Sequence, residues 1–309
     1  MIEVLLATYN GEVFLSEQIE SVLSQEDVEL SILARDDGSS DGTGEVLERY
    51  ARDYPGRISI LHSPGRLGGR GNFSWLLNQA CSPYVAFCDQ DDVWVGKKMR
   101  TLLMRIRSLE TRYGKDTPIL VHSDLAVADS DLHEIHPSFW EYTHIDTTRN
   151  SFRHILVKNS VTGCALLANR ALVEKARPIP EEAVMHDHWL ALVAVVFGQV
   201  DAVKEPLVFY RQHGDNVVGA RAYGWRDIFR RLWSDCGRMD ISRLCLQAGA
   251  FSARFATQLS PEQGVLINGF AQLPERGWIG KRIFLLRHGI LLPGLIRNLA
   301  LLFCVRLGK

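Results

Sequence analysis

The first ninety residues alternate short apolar runs with segments of helical spacing, and that alternation leaves few folds open. Ile2 to Ala7, Leu30 to Ala34, Ile58 to Leu61 and Tyr84 to Cys88 each read as a short, mostly buried strand. Between them, Phe14 to Ser24 places Leu15, Ile19, Val22 and Leu23 on one helical face, and further helices are expected over Gly44 to Arg52 and Asn72 to Ala80. Strands and helices alternating in this way predict a mostly parallel α/β sheet. Ligands of such sheets bind at the C-terminal ends of the strands. Three of these strand ends carry dense polar clusters: Thr8-Tyr9-Asn10-Gly11, Asp36-Asp37-Gly38-Ser39-Ser40-Asp41-Gly42-Thr43 and Asp89-Gln90-Asp91-Asp92. Sheet topology brings all three to one rim.

The third cluster holds three carboxylates within four positions. Neighbouring carboxylates repel unless a cation or a set of donors balances them. Hard divalent cations such as Mg²⁺ and Mn²⁺ prefer oxygen ligands and are often held by one or two carboxylates plus substrate phosphates. Asp89 and Asp91 therefore read as a metal–diphosphate platform, and the bland alternative is a polar loop with Asp92 as a helix N-cap. Neither a dinucleotide G-x-G-x-x-G nor a G-x-x-x-x-G-K-[ST] phosphate loop is present. The glycine-rich Leu67 to Asn72 segment reads equally well as a phosphate contact or as a flexible connection.

Composition excludes some classes. With 309 residues, 46% of them hydrophobic, and a net charge of −1, the chain lacks the basic excess of a dedicated nucleic-acid binder. The six cysteines are scattered without a C-x-x-C pair, as reduced thiols of a cytosolic protein are. The N-terminal run has neither the basic start nor the length of a signal peptide.

Further along, residues 95–118 hold a basic amphipathic helix with Met99, Leu102, Leu103 and Ile106 on its apolar side, read as structural. Ile119-Leu120-Val121 is a strand ending in His122-Ser123-Asp124, and Asp124 is a candidate for the same cleft or for a strand-end hydrogen-bond network. His133 to Asn150 lacks periodicity and reads as a loop excursion over an acceptor. Val161 to Ala168 reads as a buried strand in which Gly163 permits a close approach. Val200 to Val203 and Leu207 to Tyr210 read as two short strands.

The clusters Ala7-Thr8-Tyr9-Asn10-Gly11, Asp36 to Thr43 and Asp89 to Trp94, in that order, resemble the signatures of family-two inverting glycosyltransferases with a GT-A fold. The resemblance covers about residues 1–215. His186-Asp187-His188-Trp189 and Tyr210-Arg211-Gln212-His213-Gly214-Asp215-Asn216 bring it closer to the bacterial rhamnosyltransferase-like enzymes of surface polysaccharide assembly. It departs at Arg66, where many members have Asn before Leu-Gly. The resemblance implies that Thr8, Tyr9, Asn10 and Asp37 meet the nucleoside, that Asp89 and Gln90 face ribose and diphosphate, and that Asp91, Asp89 and His213 hold Mg²⁺ or Mn²⁺. Asp187 is then the general base, with a helix cap as its bland alternative. Gly163, His188, Trp189, Asp124 and Arg211 are acceptor-side or supporting candidates. The implied reaction moves a sugar, rhamnose in this subgroup, from a UDP or dTDP donor to a hydroxyl of a glycan or lipid-linked acceptor. A sugar-nucleotide nucleotidyltransferase and a non-catalytic membrane scaffold are the alternatives.

Composition shifts after Gly219, so a catalytic domain over 1–219 and a helical region over 220–309 are expected. From Gly277 to Lys309 there is no Asp or Glu, and Lys281, Arg282, Arg287, Arg297, Arg306 and Lys309 are spaced among apolar residues. Such a stretch reads as lying in a membrane interface, at the inner face of the cell membrane, or as a dimerisation element.

Overall fold

The computed structural model describes residues 1–63, 65–213 and 241–290. In it β1 (Ile2–Thr8) lies between β2 (Leu30–Asp36) and β4 (Tyr84–Cys88), with β3 (Ile58–Ile60) outside β2, all parallel. The sheet continues through β8 (Leu166–Asn169), which runs antiparallel between β4 and β6 (Ile119–Ala128). Then comes β9 (Gln199–Arg211), parallel to β6, and a two-residue β5 (Val93–Trp94) antiparallel to β9. β7 (Glu134–His136) pairs with β6 off this path. This is the GT-A arrangement: a mostly parallel α/β sheet, with antiparallel members where the chain doubles back.

Helices cover both faces. On one side α1 (Glu12–Leu23), α2 (Thr43–Asp53) and α4 (Lys98–Tyr113) bury Leu15, Ile19, Leu47, Met99 and Leu102 against the sheet. On the other lie α3 (Gly68–Gln79), α6 (Phe152–Ile155), α7 (Arg170–Ala176) and α8 (His186–Phe197). The apolar run of α8 has no polar face because it is buried from His188 to Ala194. Helices α9 (Ser242–Phe255), α10 (Pro261–Ala271) and α11 (Trp278–Arg287) share that second core, with Phe251 edge-on to Trp189 at 5.4 Å between ring centroids. A short α5 (Phe139–Thr143) follows β7.

Three expectations change. The Val161–Ala168 run is not one strand: Gly163–Ala165 is a 3₁₀ turn, and β8 begins only at Leu166. The two strands expected between Val200 and Tyr210 are one, and their register against β6 shifts where Ser123 faces Val203 and Asp124 faces Pro206. Lys204 and Glu205 occupy that bulge, which breaks the period of two that marks a strand in sequence. The segment expected to be a loop at 133–150 carries β7 and α5. The 219/220 boundary and, of the basic Gly277 to Lys309 stretch, residues 291–309 lie outside the described residues.

Candidate active site

The three polar clusters meet on one rim, tied by their own side chains. Gln90 grips the end of β1: its Oε1 accepts the Tyr9 N–H at 2.7 Å and its Nε2 donates to the Tyr9 carbonyl at 2.9 Å. A Cβ on Gly11 would stand 2.3 Å from the Gln90 amide, so the turn needs glycine there. The Thr8 hydroxyl donates to Asp36 at 2.9 Å, and Asn10, in the left-handed region at φ 47°, accepts the Ser40 N–H. Thr8 is thus buried and engaged, whereas Tyr9 and Asn10 reach the surface.

Asp37 is buried and accepts from Arg35 Nη1, Leu67 N and Gly68 N, each at 2.7 Å. Burial pushes its pKa up, but Arg35 and the two N–H groups outweigh that and hold the carboxyl below its ordinary value. The Leu67 and Gly68 amides are therefore committed to Asp37 rather than offered to a phosphate. Arg66 stacks its guanidinium 3.8 Å from the Tyr9 ring centroid, a contact the departure at this position made unreadable from sequence.

Beyond β4 the carboxylates separate into distinct environments. Asp91 meets His213, Oδ2 to Nε2, at 2.8 Å across 122 positions of sequence. Both keep a small opening to solvent, at 17% and 16% side-chain exposure. Asp89 has no hydrogen-bond donor among the described residues. Burial, followed by the charges of Asp91 and Asp187, pushes it up to about 7. Asp92 is fully buried, and its Oδ1 accepts the Arg211 N–H at 3.1 Å. It caps no helix, because β5 follows it and α4 starts at Lys98.

Asp187 stands in the first turn of α8, where Met185 is the N-cap residue. The helix dipole favours a carboxylate at this end. Its Oδ1 accepts the His188 N–H at 2.7 Å. Burial lifts it to about 6, against the downward pull of the His188 and Gly163 N–H groups and the Asn159 side chain. Its charge is among those that raise Asp89, so the two carboxylates lie near enough to interact. Gly163 carries the 3₁₀ turn against this corner: a Cβ there would lie 2.6 Å from His186 Nε2 and 3.7 Å from the Asp187 Cβ. His186 is held between Phe73 and Phe87, and burial pushes it down to about 3, so it is neutral.

The remaining candidates sit behind this wall. His188 is buried, with Nε2 against the Ile155 carbonyl, and Trp189 is fully buried, donating from Nε1 to the Ala176 carbonyl. Neither faces an acceptor; both anchor the helix that carries Asp187. Arg211 is also buried, donating from Nε to the Asp91 carbonyl at 2.8 Å and pairing with Ser130 and Glu17. It braces the Asp91 loop from within. Asp124 accepts from Ser138 Oγ and from the N–H groups of Leu125 and Trp140, so it seats α5 on β6. A cavity of about 600 Å³ opens beside it, lined among others by Trp140, Glu141, Lys204 and Pro206.

Lys98 is the residue that sequence reasoning missed. It is fully buried at the start of α4, its Nζ donating to the Cys164 carbonyl and lying 3.2 Å from the Trp94 ring centroid. Asp89, Asp92 and the Cys164 thiol cluster beside it, with their ligand atoms within 4.8 Å of one another. Burial lowers Lys98 to about 7 against the opposing pull of Cys164, Cys88, Asp92 and Asp89. The available signal was positional. Lys98 stands four residues before Leu102 and eight before Ile106, on the buried stripe of an otherwise amphipathic helix.

With this geometry in place, the likeness to known proteins follows the same residues. Residues 3–172, more than half of the chain, match the profile of glycosyl transferase family 2. A dTDP-rhamnosyl transferase of Shigella flexneri, RfbG, is 28% identical over 228 residues, covering 70% of this chain and 74% of its own length. Glycosyltransferase GlyG of Streptococcus pneumoniae is 23% identical over 266 residues, covering 79% of this chain and 84% of its own. Among solved structures, S. aureus TarS 1-349 superposes with a TM-score of 0.58 at 14% identity, covering 93% of this chain and 80% of that one. A Pyrobaculum calidifontis mannosyltransferase, solved with GDP-Man and Mn2+, superposes with a TM-score of 0.54 at 16% identity, covering 92% and 72%. At those identities the structures speak for the fold. The profile match across the rim-forming half settles the family: this chain is a glycosyltransferase and belongs to glycosyl transferase family 2.

Proposed function

We propose that the chain is a metal-dependent inverting transferase that moves a sugar, rhamnose first among candidates, from a dTDP or UDP donor to a hydroxyl of a glycan or lipid-linked acceptor in surface polysaccharide assembly. The observation that carries this reading is the Asp91–His213 pair beside an Asp89 raised by burial and by the charges of Asp91 and Asp187, residues from three separate parts of the chain. The RfbG likeness supports the rhamnosyl donor. Family membership leaves the nucleotidyltransferase and scaffold alternatives without support.

The donor set fits a hard divalent cation. Asp91 with His213 offers oxygen and imidazole, and Asp89 is a carboxylate that no described donor satisfies. Asp91, Asp89 and His213 would hold Mg²⁺ or Mn²⁺, which supplies charge stabilisation on the departing diphosphate. Tyr9, Asn10 and Gln90 form the edge on which the nucleoside lies, with Thr8 and Asp37 shaping that edge from beneath. Asp187 accepts the proton of the acceptor hydroxyl as its oxygen bonds to the anomeric carbon and the bond to the diphosphate breaks. His186, neutral and wedged between two phenylalanines, keeps the helix start that presents Asp187 in place.

A thermal-shift panel of nucleotide sugars, with and without Mn²⁺, tests this. dTDP-rhamnose with Mn²⁺ should raise Tm above every other donor, because a ligand stabilises by mass action. No shift with any donor would sink the proposal. His213→Ala should raise the Mn²⁺ concentration for half-maximal activity by at least about tenfold, since outer partners alone are worth that much at metal sites. An unchanged Mn²⁺ requirement would remove His213 from the site.

The pH dependence follows from Asp187. A base raised to about 6 is ionised above that value and protonated below it. Hence kcat/KM at saturating Mn²⁺ should be level above pH 7 and fall about tenfold per unit below pH 6. A profile flat from pH 5 to 8 would contradict the assignment.

A further inference from the structure

We propose that the outward face of α11 docks this enzyme onto an anionic lipid bilayer; the proposal goes beyond the glycosyl-transfer reading and does not depend on it. Trp278, Ile279, Ile283 and Leu286 are 62%, 65%, 57% and 56% exposed. At 3.6 residues per turn these four share one continuous arc of the helix. Phe284 lies on the opposite side and Leu285 at the edge next to Trp278, and both are buried in the core that also holds Trp189 and Phe251.

The orientation of the helix is fixed. Phe284 is pressed so closely on α10 that a Cβ at Gly269 would come within 2.2 Å of its ring. The helix cannot roll to hide its outer face without withdrawing Phe284 from that seat. A surface helix of a soluble protein normally turns polar residues outward; α11 turns four large apolar ones. Its cations are placed as an interfacial helix needs them. The Arg282 guanidinium lies 3.6 Å from the Trp278 ring centroid, a flat amphipathic pair suited to headgroup depth, and Arg287 is exposed at the edge of the arc.

Charge selects the occupant. From Gly277 to Lys309 the sequence carries six Lys or Arg and no Asp or Glu. A second copy seated on this face across a two-fold axis would set like charges against like. An anionic headgroup layer instead complements Lys281, Arg282 and Arg287 of α11, while the four apolar side chains enter the acyl boundary. No helix among the described residues is long and apolar enough to cross a membrane, and an amphipathic helix of this kind lies in the interface plane.

The test uses the full chain and sedimentation with vesicles of phosphatidylcholine alone or with about 30% phosphatidylglycerol. The wild type should sediment with the anionic vesicles, and high salt should release it. Ile279→Glu/Ile283→Glu should lower the bound fraction about tenfold, with donor hydrolysis and elution volume on size exclusion unchanged. Absence of binding to anionic vesicles, equal binding to phosphatidylcholine alone, or full binding by the double variant overturns the proposal. So does a wild-type dimer that the double variant dissociates, which would make the face a contact between copies.

Discussion

Asp187→Asn is expected to lower kcat by about 10²- to 10⁴-fold while leaving donor affinity within a factor of two or so, because a positioned base contributes that much and the amide keeps the shape. The amide oxygen can still accept the His188 N–H that Asp187 accepts at 2.7 Å, so the first turn of α8 is preserved. The variant should also lose the fall in rate below pH 6. The charge of the carboxylate at 187 helps to raise Asp89, so removing that charge should ease Asp89 ionisation and strengthen Mn²⁺ binding slightly. Calorimetry with Mn²⁺ and donor, alongside initial rates with acceptor, separates the two effects. Equal losses of affinity and rate would point to a collapsed site and against a base.

Lys98→Met should be the most damaging substitution outside the rim. Its ammonium is the cation set against Asp89, Asp92 and the Cys164 thiol, and it holds the Cys164 carbonyl in the 3₁₀ turn whose Gly163 N–H supports Asp187. Breaking a buried charge arrangement on one side typically costs about 3–5 kcal/mol, because the partner is left uncompensated. Chemical denaturation should show that loss, and Mn²⁺ should restore part of it by replacing one buried cation with another nearby. Lys98→Arg retains the charge but not the fit beside Trp94, and an intermediate loss is expected. Wild-type stability in Lys98→Met would show that the carboxylates are balanced without it.

The rim was legible because its signals are local. β1, β2 and β4 are apolar runs closed by polar residues, and topology alone brings such ends together. His213 beside Asp91 was legible only through family likeness, since nothing in sequence spacing ties positions 122 apart. The helix dipole made Asp187 ambiguous between cap and base; the structure gives the cap position to Met185 and puts Asp187 in the first turn of α8, with its charge bearing on Asp89. His188, Trp189 and Arg211 stood as acceptor-side or supporting candidates because sequence does not show burial; His188 and Trp189 meet backbone carbonyls within the fold, and Arg211 meets the Asp91 and Ser130 carbonyls and the Glu17 carboxylate. Hydrophobicity could not separate the Gly163–Ala165 turn from β8, because both are fully buried. Lys98 escaped for the opposite reason: a lysine on a basic helix is read as solvated unless its place on the apolar stripe is counted.

Arg211 has a consequence for how the protein is made. Its side chain joins the end of β9 to Glu17 in α1, to the Asp91 carbonyl and to Ser130, and His213 follows two residues later. The family-matching segment ends at residue 172. A nascent chain emerging from the ribosome up to that point has all of β1 to β4 and the Gln90 latch, but not the strut or the imidazole. The nucleoside edge can therefore assemble while synthesis continues, and the carboxylate pocket closes only after roughly forty more residues have emerged, a delay of about 2–8 s at ordinary elongation rates. Vectorial synthesis thus leaves the Asp91 end of the rim without its Arg211 and His213 partners until β9 takes its place in the sheet.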